Sequence, residues 1–314
     1  MQDKTEPMTQ PTNQKPDIRA VVLDVDGTLL DSNHAATPRV VEAIKAAIAK
    51  GVQVVLATGK TRASTVKLVD ELGIKSPGIY LQGLAIYDVA GSVLQQLILE
   101  PQLVRQVITF GEDRGHTMLL YSGERILVRV PNAELADMFA QYHEVTPEVI
   151  GPLQNVVGTL PINKVIAVGE PRAITALRWQ LTMQVGGAGR IMQAGVPEML
   201  EVLPPGASKG AMLRQLLKIL KVDAAKVMAV GDAENDIEMI QLAGVGVAMG
   251  QAAQHVKDAA DHVVASNDAD GVAEALERFV LTEPEIEPAE AKAEGETPVV
   301  IEPVKAGDEK EAAT

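Results

Sequence analysis

Asp24-Val25-Asp26-Gly27-Thr28 sets two carboxylates two residues apart, directly after the apolar run Ala20-Val21-Val22-Leu23. With a strand period of two, both point to the same side, and the crevice at the carboxyl ends of strands is where open α/β sheets bind ligands. Two carboxylates in one small site repel each other unless a cation joins them or one is protonated. Those two states describe a metal-bound nucleophile and an acid. The same residues would also serve an ordinary strand-end turn, so their company decides. Thr58-Gly59 follows a second apolar run and offers a hydroxyl and backbone N–H groups to a phosphate oxygen. Lys209 stands at a predicted helix start behind Pro204-Pro205-Gly206, where the helix dipole disfavours a cation unless an anion is near. Gly231-Asp232-Ala233-Glu234-Asn235-Asp236 follows another run, Val227–Val230, and brings further acids to the same edge. Each has a blander reading: a solvated lysine, or an acidic helix start capped by Asn and Asp.

These residues need strands to carry them and helices to space the strands. Thr37-Pro38 reads as N-cap and first helical residue before Val40, Val41, Ile44, Ala47 and Ile48 at helical spacing, closed by Gly51. Residues 52–57 read as a strand, 62–72 as a helix and Ile79-Tyr80-Leu81 as a third strand. Ser208 caps a helix bearing Leu213, Leu216, Leu217 and Leu220, followed by a strand at 227–230, a helix at 234–243 and a strand at 245–248. This alternation predicts a parallel sheet covered on both faces. From about 86 to 202 the pattern changes. A hairpin around Gly91, helices at 101–114 and 172–184, and two antiparallel strands over 117–130 predict an α+β unit inserted between the halves of the parallel sheet.

Composition narrows the chemistry. The 314 residues suggest about two domains, and 46% apolar with 22% charged residues is an ordinary globular mix. A net charge of −14 repels phosphate backbones, so no nucleic-acid partner is expected. With no cysteine, thiol nucleophiles, zinc thiolates and disulfides are excluded. Neither a signal-peptide stretch nor a run of membrane-spanning length occurs, which makes a cytoplasmic protein without membrane attachment the expectation. Residues 282–314 hold ten acids and three lysines, half of the net charge. They read as a disordered acidic tail, and residues 1–17 as a shorter polar leader.

Taken in order, Asp-x-Asp-Gly-Thr, Thr-Gly, the helix-start Lys and Gly-Asp-x-x-Asn-Asp, each beside its own strand, resemble the haloacid dehalogenase superfamily of phosphohydrolases. The similarity runs over residues 18–281. It is greatest to the Cof-type branch, whose large cap is inserted after the third strand, and Leu29-Leu30-Asp31, Glu201–Gly206 before Ser208-Lys209-Gly210, and Glu234–Ile237 add to it. The resemblance implies a doubly wound, Rossmann-like α/β core at 18–85 and 203–281 around an α+β cap at 86–202. It implies a phosphatase that hydrolyses a small phosphorylated metabolite, with a sugar phosphate as the expected substrate and Mg²⁺ as cofactor. By position, Asp24 matches the nucleophile that forms an aspartyl-phosphate, and Asp26 the acid that then activates water. Thr58, Gly59 and Lys209 match the phosphate-holding positions, with Asn235 orienting neighbours there. Asp24, the backbone carbonyl of Asp26, and Asp232 match metal ligands, supported by Asp236.

Two positions depart from the family pattern. Lys60 stands where Arg usually follows Thr-Gly, and Gln82-Gly83 replaces Asn-Gly after the third strand, both at the cap hinge and substrate rim. A phosphosugar mutase and a receiver-like phospho-switch are the alternative readings. A receiver needs neither the second Asp of the first motif nor a cap. Gly59-Lys60-Thr61 lacks the earlier glycine of a P-loop, the glycines from 244 to 250 miss a dinucleotide spacing, and the five histidines form no close pair for zinc.

Overall fold

A computed structural model describes residues 16–193 and 196–282. The leader through residue 15 and the acidic tail from 283 lie outside the described residues. The chain opens with β1 (Ala20–Leu23), α1 (Pro38–Ala49), β2 (Gln53–Leu56), α2 (Arg62–Leu72), β3 (Gly78–Tyr80), β4 (Ala85–Tyr87) and β5 (Val93–Gln96). It continues with α3 (Pro101–Glu112), β6 (Thr117–Ser122), β7 (Arg125–Val128), α4 (Ala133–Gln141), β8 (Glu148–Val149), β9 (Lys164–Val168), α5 (Pro171–Val185), β10 (Arg190–Gln193) and β11 (Met199–Leu203). The last stretch holds α6 (Lys209–Leu220), β12 (Val227–Gly231), α7 (Ile237–Leu242), β13 (Val245–Ala248), α8 (Gln254–Lys257), β14 (His262–Val263) and α9 (Gly271–Leu276).

The first sheet is parallel, in the order β14-β13-β12-β1-β2. All four residues of β1 are buried because both faces are covered. Val21 and Leu23 pack with Ile44 of α1 and Leu276 of α9, whereas Ala20 and Val22 pack with Leu213 and Leu216 of α6. That double burial explains an apolar run without alternation. The strand order reverses at β1, with β2 on one side and β12 on the other, so the topological switch point lies where Asp24 and Asp232 leave their strands.

Local chemistry sets the helix starts that matter to this edge. Thr37 accepts the Val40 N–H at 3.3 Å, Thr61 that of Ser64 at 3.3 Å, and Ser208 that of Ala211 at 3.0 Å. Each cap satisfies one amide that the first helical turn leaves unpaired. The Ser208 cap makes Lys209 the first residue of α6.

A six-stranded, mostly antiparallel sheet in the order β10-β11-β9-β6-β7-β8 forms the second layer system. One face packs Leu120, Val165 and Leu200 against Val107 of α3 and Leu177 of α5. The opposite face carries Leu119, Tyr121, Ile166 and Met199, clustered with Tyr80, Leu81 and Leu84. The hairpin around Gly91 forms as β4–β5, but it pairs with β3 in its own three-stranded sheet rather than with these six strands. Leu81, Gln82 and Gly83 all adopt positive φ (56°, 62° and 85°), which reverses the chain tightly enough to lay β4 back on β3.

Gly83 sits in this turn against α6, where an added Cβ would press on the backbone of Ser208 and Lys209. Gly83→Ala should therefore cost about 2–4 kcal/mol, combining left-handed strain with overpacking. Gly51→Ala, also at positive φ (82°) but with open space around it, should cost only about 1–2 kcal/mol. Chemical denaturation of the two variants checks the difference. Equal losses would show that the Gly83 contact does not position α6.

Candidate active site

Lys209 lies at the centre of the site. Its ammonium, 1% exposed, donates to Asp24 Oδ1 at 2.5 Å and to Asp236 Oδ1 at 2.7 Å. Asp24 is held by its strand end, where its N–H continues the ladder to the Val230 carbonyl at 3.1 Å. Asp236 spends both oxygens: its Oδ2 accepts the N–H groups of Asp232 and Ala233 at 3.1 and 3.0 Å. It thereby fixes the loop that carries Asp232. Gly231 permits this approach, since a Cβ there would meet the Asp236 side chain. Thr28 Oγ1 donates to Asp232 Oδ1 at 3.2 Å. Asp24, Asp232 and Asp236 each offer an oxygen within 4.8 Å of the others, a cluster that could hold a metal ion.

The other sequence-predicted residues surround this cluster without all joining it. The Asp26 carboxylate, half-exposed, lies outside it and pairs with Lys60 Nζ at 3.2 Å, with His34 Nδ1 4.0 Å away. Thr58 is buried, and its Oγ1 accepts the Lys60 N–H at 3.1 Å. Asn235 Nδ2 donates to Gln82 Oε1 at 2.7 Å. Gly59 borders the same cavity, of about 260 Å³, which is also lined by Asp24, Asp26, Lys209, Asp232 and Asn235. Thr58 is not in that lining.

The opposite wall comes from the second sheet and the loops around α4, and the sequence reading singled out none of it as site. Tyr121, Lys164, Ile166, Met199 and Glu201 project from β6, β9 and β11, and Phe139, Tyr142 and Glu144 from α4 and its exit. Two contacts tie the walls together. Lys60 Nζ donates to the Tyr142 carbonyl at 2.5 Å, and Glu144 accepts the Thr61 N–H at 3.1 Å and the Thr61 hydroxyl at 2.5 Å. Glu144 thus places an anion at the start of α2, where the helix dipole favours it. The Lys60 departure marked this rim in the sequence, but nothing marked Glu144.

Burial and charge crowding together set the electrostatics. Burial pushes the Asp24 carboxyl up to about 8 against the pull of Lys209, with repulsion from Asp236 and Asp232 adding to it. Asp232 is pushed up to about 6 by burial and by Asp236. For Lys209, burial works downward but the two carboxylates outweigh it and hold the ammonium charged, its pKa raised. A carboxyl whose folded pKa exceeds its ordinary 3.8 keeps more protons folded than unfolded, so stability falls as pH rises between the two values. In EDTA the protein should lose about 2 kcal/mol between pH 6 and 8. Asp24→Asn should remove most of that slope, and thermal melts across the range check it. A wild-type slope that is flat or rising over pH 6–8 would contradict the buried-carboxylate origin.

The chain resembles known proteins along most of its length. The haloacid dehalogenase-like hydrolase family matches residues 21–276. The chain is 32% identical over 277 residues to the protein named Endoribonuclease YBEY, chloroplastic, of Arabidopsis thaliana. That match takes in 85% of this chain and 47% of the other, so the chain spans about half the length of that relative. It is 29% identical over 237 residues to the HMP-PP phosphatase of Cronobacter sakazakii, covering 74% of this chain and 85% of that one. A solved haloacid dehalogenase-like hydrolase from Bacteroides thetaiotaomicron superposes with a TM-score of 0.77 at 28% identity, over 83% of this chain and 99% of its own. The family match runs from β1 into α9 and takes in every strand end that contributes to the site. The chain belongs to the haloacid dehalogenase-like hydrolases of the Cof type, as its motifs imply, and is a hydrolase of the phosphatase kind.

Proposed function

We propose that this enzyme is a Mg²⁺-dependent phosphomonoesterase that cleaves a small phosphorylated metabolite, a sugar phosphate, through an aspartyl-phosphate on Asp24. The observation that carries the reading is the buried Asp24 carboxylate, paired with Lys209 at 2.5 Å on the wall of a cavity whose opposite wall is formed by a second sheet. The segment 86–202 would act as the cap, excluding water and bulky substrates. The nuclease in the Arabidopsis relative's name is not carried over, because a chain of net charge −14 with a cavity of this size suits a small monoester better than a polynucleotide.

The donor set fits Mg²⁺. It is all oxygen, and Asp24 and Asp232 each engage only one carboxylate oxygen with another side chain, whereas both oxygens of Asp236 are taken, Oδ1 by Lys209 and Oδ2 by the Asp232 and Ala233 N–H groups. Asp24, Asp232 and the backbone carbonyl of Asp26 would hold the ion, with Asp236 as a strut. When bound, it would offset the crowded negative charge and polarise the phosphoryl group.

Asp24 would attack phosphorus as the bond to the leaving oxygen breaks, and Asp26, in the cavity wall, would give that oxygen its proton. The Asp26 carboxylate would then take a proton from the water that attacks the aspartyl-phosphate, releasing inorganic phosphate. Lys209, Gly59 and the neighbourhood of Thr58 would hold the equatorial oxygens, and Lys209 would relieve the repulsion between a carboxylate and a phosphate dianion.

Purified protein assayed against phosphorylated metabolites should turn over with Mg²⁺, stop with EDTA and not be restored by Zn²⁺ alone. Asp24→Asn should abolish turnover of every substrate. In single-turnover measurements of the first half-reaction, Asp26→Asn should slow release of alkoxide leaving groups by roughly 10²–10⁴-fold and of p-nitrophenolate much less, since nitrophenolate leaves without a proton. Equal losses on both would remove Asp26 from the acid role, and retained activity in Asp24→Asn would remove the nucleophile.

A further inference from the structure

Lys164 on β9 and Glu201 on β11 form an ion pair inside the second sheet's cavity-lining face, with Nζ 2.9 Å from Oε1 and side chains only 3% and 4% exposed. Lys164 Nζ also stands 4.5 Å from the ring centre of Tyr121. Taking both charges out of water costs several kcal/mol per ion, and apolar residues in their place are often as stable. Their neighbours Leu119, Ile166 and Met199 are apolar, so the fold alone does not call for a charge here. The pair is also incomplete. Glu201 Oε2 is the one buried side-chain polar atom without a hydrogen-bond partner among the described residues. A buried acceptor left unpaired carries the full penalty of its desolvation, which a donor on a bound molecule would relieve.

We propose that Lys164 and Glu201 form the subsite for the leaving group and select a neutral, polyhydroxylated one. This rests on the phosphatase reading, which puts the phosphoryl group at the opposite wall beside Asp24 and Lys209. One substrate hydroxyl donates to Glu201 Oε2, and a neighbouring oxygen accepts a remaining Lys164 N–H. Adjacent hydroxyls on one carbon chain supply that donor and acceptor together. A hydroxyl-free leaving group leaves Oε2 unpaired, and one bearing a second phosphate or a carboxylate sets an anion against Glu201.

The test compares kcat/KM for ribose 5-phosphate, glucose 6-phosphate and sorbitol 6-phosphate with that for cyclohexylmethyl phosphate, which resembles the hexose ester without its hydroxyls. Wild type should prefer its best polyol ester by at least about 100-fold, because a site built to bond a hydroxyl rejects the analogue lacking it. Glu201→Gln, which replaces an acceptor with a donor, should shrink that preference at least about 10-fold, mainly through KM. The double variant Lys164→Met with Glu201→Leu, which fills the space without charge, should do the same and covers the case in which the single variant fails to fold. An undiminished preference in either folded variant, or a wild type that hydrolyses the cyclohexyl ester as well as the polyol esters, would overturn the subsite. A wild type that hydrolyses no phosphomonoester, p-nitrophenyl phosphate included, would instead overturn the phosphatase reading and the subsite with it.

Discussion

A lysine with 1% exposure, at the first turn of a helix whose dipole repels it, is held only because two carboxylates reach it from different elements. Asp24 comes from the end of β1, Asp236 from the loop after β12, and Lys209 from α6, so one ammonium ties together both sides of the topological switch point. Much of the surrounding structure serves that convergence. The Ser208 cap starts α6 at Lys209, Gly83 lets the β3–β4 turn close against that start, and Gly231 lets Asp236 fold under Asp232. Removing Asp24 or Asp236 would leave the buried ammonium without one of its counterparts, the costly outcome for an ion in a low-dielectric interior.

The arrangement buries more negative charge than one lysine offsets, and burial first, with repulsion between the carboxylates second, raises the pKa values of Asp24 and Asp232. Stability and chemistry pull in opposite directions here. A protonated or amidated Asp24 would ease the burial, but the nucleophile we propose it to be must be ionised. Such conflicts between local stability and the arrangement retained are expected at functional sites.

The fold and the first wall of the site were legible in the sequence for definite physical reasons. Doubly buried strands print uninterrupted apolar runs, helix caps print Thr37-Pro38 and Ser208, and carboxylates at strand ends stand out against the apolar residues before them. Asp24, Asp232, Asp236 and Lys209 were found this way and do converge. The second wall was not legible. Lys164 begins β9 and Glu201 lies within β11, so each reads as a solvated charge, and their meeting depends on β9 pairing with both β6 and β11 across a register that no local pattern encodes. Glu144 fares likewise: its role is set by Thr61, 83 positions away. The hairpin β4–β5 is legible as a hairpin but its pairing with β3 is not, because two of the three left-handed residues of the connecting turn, Leu81 and Gln82, are of types that do not announce that conformation.

The central claim is that the buried, lysine-paired carboxylate of Asp24 becomes covalently phosphorylated. Acid quenching of Asp26→Asn protein during turnover of p-nitrophenyl phosphate, followed by peptide mass spectrometry, tests it directly, because loss of the base that activates water should let the intermediate accumulate. The account predicts one added phosphoryl group on the peptide containing Asp24, absent when Asp24→Asn is added. Turnover with no phosphorylated peptide, or with the phosphoryl group on another residue, would contradict it.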